Sequence, residues 1–265
     1  MTATETKRRP TRGRKLIIAA LVVGGLLVAA DFGLAAAGEY QVAQKMRQKL
    51  GLSEDPSVRI NGFPFVTQAI AGDYRDIEIS ATGVPVRDQL RDLEIHANLR
   101  HVRIGLSDLL AGNTRGAKID QVQGSVKIKA NDLNRVVNQV TPFTDMAIEP
   151  DTRTELTAGQ QADPAVAAVK LSGNTTVASR KIRITAYGTV ALANGDVVIS
   201  MNDVELDDTS LAGLDAVLGV VREALSVTIH PGELPFTVTP TAVKVESGAL
   251  TVEGAISDIP LNEAG

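Results

Sequence analysis

The chain has 265 residues, 44% of them hydrophobic, which suits one large domain or two small ones and is too apolar for wholesale disorder. It has no cysteine, which excludes disulfides, thiolate metal sites, a cysteine nucleophile and a lipid-modified N-terminal cysteine. The net charge of −4 hides a basic start: from residue 38 onward 21 basic residues face 29 acidic ones, and that acidic body suits neither nucleic acid nor an anionic membrane held by charge alone.

Lys7, Arg8, Arg9, Arg12, Arg14 and Lys15 make residues 1–15 a basic n-region. Residues 16–30 are an uninterrupted apolar run. Asp31 breaks it, and residues 32–37 resume it. The simpler reading is a secretory signal cut at Ala35, Ala36 or Ala37. The other is an uncleaved anchor, since residues 16–37 can span a bilayer despite Asp31. Either way residues 1–37 form a targeting segment and residues 38–265 the body. Either way the body is exported to the cell envelope or periplasm, because the positive end stays inside.

Residues 39–52 predict a helix. Tyr40, Ala43, Met46 and Leu50 recur at three- to four-residue spacing, and Gly51 and Pro56 mark its end. Residues 62–86 hold three of the eight aromatics, Phe63, Phe65 and Tyr74. Pro64 fixes its own φ and pushes Phe63 into an extended conformation. Residues 66–71 can make one short helical turn closed by Gly72. Ile77 and Ile79 then alternate with Asp76, Glu78 and Ser80, the period of a half-buried strand. The aromatics either plug one end of a sheet or line an apolar mouth for a lipid.

Leu93, Ile95, Ala97 and Leu99 share one strand face. The parity then switches to Val102, Ile104 and Leu106, which predicts a bulge or bend near Arg100 and His101. Val122, Val126, Ile128 and Ala130 alternate again. Asn131 or Asp132 can cap a short helix holding Leu133, Val136, Val137 and Val140. Residues 151–164 read as a loop. Ile182, Ile184, Ala186, Val190 and Leu192 make a strand, Asn194-Gly195 a hairpin turn, and Val197, Ile199 and Met201 the return. Thr209 or Ser210 can cap a second helix about 25 Å long with a stripe of Leu211, Leu214, Leu218, Val221 and Leu225. Strands around residues 227–229, 236–238, 243–245 and 250–256 close the chain. The expected fold is α+β: a long, curved, mostly antiparallel sheet wrapped around amphipathic helices.

Catalytic motifs are missing. His96 and His101 lie roughly 16 Å apart along one strand, too far to share a metal, and His230 is remote in sequence. There is no H-E-x-x-H, G-x-S-x-G, phosphate loop or calcium loop. Asp203, Glu205, Asp207 and Asp208 could hold a cation, but a solvated strand edge is the favoured reading. No catalytic residue, metal or cofactor is expected.

Asp55-Pro56, Val58-Arg59-Ile60, Gly62-Phe63-Pro64-Phe65, Gln68-Ala69, Ala71-Gly72, Tyr74 and Ala81-Thr82-Gly83-Val84-Pro85 resemble the LmeA-like phospholipid-binding proteins of the actinobacterial cell envelope. The resemblance implies a tubular lipid-binding (TULIP) fold and non-enzymatic phospholipid binding or transfer in support of lipomannan and lipoarabinomannan assembly. It implies a phospholipid ligand, with phosphoinositide a candidate, a membrane surface, and glycan-assembly enzymes as partners. The alternative is an envelope adaptor for such an enzyme, without lipid cargo. Phe63, Phe65, Tyr74, Leu211, Leu214, Leu218 and Val221, with Tyr40, Met46 and Leu50, are expected to face one apolar cavity. The lipid head group would stay near its mouth, with Arg75 its candidate partner by proximity.

Overall fold

The structure, a computed structural model, describes residues 12–260 apart from 87–89, 114–115, 133, 135–142, 154–155, 157, 178–179, 195, 208–217, 220–221, 224 and 230–238. It begins with one helix where the sequence suggests two segments. Helix α1 (Arg12–Leu50) runs for 39 residues without a break, about 58 Å at 1.5 Å per residue. The apolar run and the expected helix over residues 39–52 are therefore one rod, ending at Gly51 with φ 64°. Ala35, Ala36 and Ala37 lie inside that rod.

Eleven strands form two antiparallel sheets among the described residues. The first has the order β1 (Ser57–Asn61), β2 (Asp73–Val86), β3 (Leu90–Arg103), β4 (Lys118–Lys129), β11 (Ala249–Pro260), β10 (Thr239–Glu246). The second has β5 (Thr144–Pro150), β6 (Val166–Val177), β7 (Arg180–Ala193), β8 (Asp196–Leu206) and β9 (Val227–Ile229) in sequence order. Short helices α2 (Phe65–Ala71) and α3 (Leu106–Ala111) flank the first sheet, and α4 (Ala158–Ala162) interrupts the expected loop over residues 151–164.

The alternating apolar residues set the registers. Ile77 pairs with Leu99, and Leu99 with Val122, across β2, β3 and β4. The parity switch in β3 falls at His101, which takes φ 50°. It is not a register bulge: Asp76↔Arg100 and Tyr74↔Val102 keep one register on one side, as do Arg100↔Gln121 and Val102↔Ile119 on the other. All three strands change face together, so Tyr74, Val102 and Ile119 are buried in one cluster. The register shifts come further along, first with an extra residue on β2 between Ala81 and Val84, where Gly83 takes φ 67°, and then with one on β3 between Leu90 and Leu93. Leu106, expected to continue the strand, instead starts α3. Asn194 opens the β7–β8 hairpin with φ 55°.

One core cluster joins the two sheets, bringing Ile148, Val169, Ile184, Val190 and Met201 against Val243, Leu250 and Val252. Backbone bonds tie the same seam: Val243 N–H to the Pro164 carbonyl at 2.9 Å and Gly248 N–H to that of Ile148 at 2.8 Å. Leu218 and Leu225, from the expected second helix, pack into this cluster. Leu211, Leu214 and Val221 lie outside the described residues. So do Leu133, Val136, Val137 and Val140 of the shorter expected helix. Next to them, buried Asp132 accepts the Asp92 N–H at 2.8 Å.

Candidate functional site

The site grows from one carboxylate. Asp31 sits in the apolar half of α1, yet it is buried. Its Oδ2 accepts the Phe65 N–H at 2.8 Å and its Oδ1 the Val66 N–H at 2.9 Å. These are the first amides of α2, which have no partner within their own helix. Pro64 precedes them in an extended conformation (φ −75°, ψ 141°) with no hydroxyl or carboxylate to cap the helix, so the cap comes from α1. Gly72, at φ 65°, closes α2.

The polar groups of α2 are used up inside. Gln68 is buried; its Nε2 donates to the carbonyls of Asn61 and Gly62, and its Oε1 accepts the Arg75 N–H at 3.0 Å. Gly62, at φ 102°, gives Gln68 its room, since a Cβ there would stand 3.1 Å from Nε2. Phe65 packs on Tyr74 at 6.4 Å between ring centroids and lies against Gly38 of α1. Two further contacts fix α1 to the body: Glu39 Oε1 accepts the Ile60 N–H at 2.7 Å, and Lys49 donates to the Gly112 carbonyl.

Seven of the ten candidate lipid-site residues are described, and those seven do not gather in one apolar cluster. Phe65, Tyr74 and Met46 share one apolar cluster with Ile60, Ile77 and Ile104. Leu218 belongs to the other cluster, between the sheets. Tyr40 is 61% exposed and accepts a hydrogen bond from Gln44 at 2.6 Å. The helix turns about 100° per residue, which aims Ala35, Glu39 and Met46 at the sheet and carries Tyr40 well round from them. Leu50 is exposed in the last turn, and Phe63 is 52% exposed, stacked on Phe32 at 5.9 Å. Arg75 is exposed, and its backbone amide donates to Gln68 Oε1.

Tyr74 is fully buried, and its hydroxyl has no hydrogen-bond partner among the described residues. Burial also pushes its pKa up, holding it neutral. An orphaned buried hydroxyl costs about 1–3 kcal/mol. Tyr74→Phe is therefore expected to leave the lipid-free protein as stable as the parent or slightly more so. A clear drop in urea midpoint would show that the hydroxyl is partnered.

The remaining polar candidates are engaged in surface pairs. Arg153 grips Glu205 with both guanidinium nitrogens, at 2.9 and 3.0 Å, and lies 4.0 Å over the Tyr187 ring. Asp203 is 3.9 Å from the same guanidinium, and Asp208 lies outside the described residues. His96 pairs with Ser80 and His101 with Asp73, while His230 lies outside the described residues. Among the described residues no three His, Asp or Glu side chains are grouped to hold a metal ion.

Asp31 and Gln68 were the residues that local pattern did not single out as functional. The available signal for Asp31 was a lone carboxylate within a run otherwise apolar enough to cross a membrane. A family model described as LmeA-like phospholipid-binding matches residues 29–255, a span that takes in Asp31, α2 and both sheets. No curated protein and no solved structure matches the chain.

Proposed function

Because the chain belongs to the LmeA-like phospholipid-binding family, we propose that it binds a phospholipid and shields its acyl chains at the outer face of a bacterial membrane. In this reading it supports lipomannan and lipoarabinomannan assembly without chemistry of its own. The observation that carries the reading is the extent of the match, which covers both sheets, α2 and the second half of α1. The α+β architecture accords with the TULIP-like arrangement expected of that family.

The physical demand on such a protein is large. Each CH₂ kept from water is worth about 0.8 kcal/mol, so a long acyl chain resists leaving a bilayer by ~10 kcal/mol. In this reading the apolar side chains clustered on α1 and the first sheet, and between the two sheets, meet that demand. The orphan hydroxyl of Tyr74 supplies a donor of the kind an ester carbonyl would accept. The acyl chains are assigned to the Phe65–Tyr74–Met46 cluster, with the head group toward the exposed end of α2.

Mass spectrometry of organic extracts from the purified full-length chain tests this. Phospholipid is expected to co-purify, and added phospholipid is expected to displace a bound apolar dye. Empty extracts with no displacement would sink the lipid reading and leave an adaptor for a glycan-assembly enzyme in its place.

A further inference from the structure

Helix α2 buries Phe65, yet it also turns apolar side chains toward water. Its carboxamide, Gln68, is buried and satisfied by three hydrogen bonds, while Val66 and Ile70 point outward. Ile70 is 82% exposed. The one hydroxyl on that side, Thr67, satisfies itself by donating to the Pro64 carbonyl at 2.8 Å. The helix carries no charge. Beside it the exposed rings of Phe63 and Phe32 stack, joining α2 to α1 in one apolar ridge. Soluble helices show the opposite pattern, and exposed apolar ridges mark an interaction surface.

We propose that the ridge of Phe32, Phe63, Val66 and Ile70 is a membrane foot, seated in the headgroup layer of the bilayer that α1 crosses. It rests on the reading that α1 stays attached as an anchor. The bilayer is favoured over other occupants because the ridge is continuous with the apolar half of α1. That half is long and apolar enough to span, and 6% of its most apolar window is buried by the rest of the protein.

Depth agrees with this seat. Residues 16–30 rise about 22 Å against a hydrocarbon core of ~30 Å. With Arg14 and Lys15 reaching back to the inner surface, Asp31 falls near the outer boundary. There a bare carboxylate would be costly, and the two α2 amides cover it. The stacked Phe rings fall at the same level, where aromatic side chains anchor membrane proteins. The carboxylate thus pins the foot to the anchor, holding the mouth of the body at the lipid surface.

The absence of cysteine makes the test direct. Full-length Ile70→Cys, Phe63→Cys, Leu21→Cys and Lys244→Cys are each labelled with an environment-sensitive fluorophore. They are reconstituted in vesicles of phosphatidylcholine and phosphatidylglycerol carrying nitroxide lipids. The labels at 63 and 70 are expected to lose most of their emission to headgroup-level nitroxides. The label at 21 should respond to deep nitroxides, and the label at 244, on β10, to neither. Quenching at 21 without quenching at 63 and 70 overturns the foot and leaves the anchor. Quenching at none of the three overturns both. Blue-shifted emission at 63 and 70 that follows protein concentration, without lipid quenching, assigns the ridge to a second copy of the chain and also overturns the foot. The lipid extracts report separately, so co-purified phospholipid with unquenched labels would fail the foot and keep the binding function.

Discussion

Asp31→Leu is expected to destabilise the body by about 2–4 kcal/mol, although it makes α1 more apolar. The two effects have opposite signs and are read separately. On the anchor reading, insertion of α1 should improve slightly, because an acid at the outer boundary costs less to insert than one at a helix centre and leucine favours insertion. Folding of the body should suffer, because the Phe65 and Val66 amides lose their only identified acceptor. Each is a charge-assisted bond, stronger than a neutral one, and the Phe65 donor is left buried. Asp31→Asn retains one carbonyl oxygen and should lose about half as much. Hydrogen exchange supplies the local readout: the amides of Phe65 and Val66 should exchange faster in Asp31→Leu, while those of β6 and β7 keep their protection. Unchanged exchange at 65 and 66 would mean the carboxylate is not their acceptor.

That carboxylate also shows where sequence reading stops. The strands were legible because their signal is local: Ile77 and Ile79, Leu93 to Leu99, and Val122 to Ile128 alternate along the chain, and they pair in those registers. The Gly72 stop and the Asn194 hairpin were legible for the same reason, since a positive φ is written into one or two residues. Asp31 reads locally as a break in an apolar run. Its partners lie more than thirty residues away, so the local pattern splits one helix into two segments.

The site residues are harder to read for a different reason. Periodicity says which side chains share a face, not whether anything covers that face. Phe63 and Phe65 stand on either side of Pro64 in sequence, yet one is exposed on Phe32 and the other is buried on Tyr74. Tyr40 and Met46 share an apparent stripe, but only Met46 packs on the sheet. Leu218 reaches the core between the two sheets, a meeting of distant segments that no local pattern records.

The second large effect is expected at a glycine that looks ordinary in sequence. Gly188→Ala should cost about 3–5 kcal/mol, against no more than ~0.5 kcal/mol for Gly124→Ala. Both glycines lie inside long strands. A Cβ at 124 would meet the His96 carbonyl at 3.6 Å, ordinary contact. A Cβ at 188 would stand 2.0 Å from the Ser200 carbonyl oxygen and 2.9 Å from the Met201 Cα. Those atoms are backbone, so no side-chain rotation relieves the overlap, and β7 and β8 must part. The close approach has a cause: the register shifts between Tyr187↔Asp203 and Gly188↔Met201, leaving Asn202 as the extra residue of a bulge. The bulge bends the second sheet beside Ala186, Val190 and Met201, the core against which Leu218 and Leu225 pack. Urea midpoints decide the matter. Equal midpoints for the two variants would show that the strands separate freely at residue 188. A large loss confined to Gly188→Ala would show that the curvature of this sheet depends on a missing methyl group.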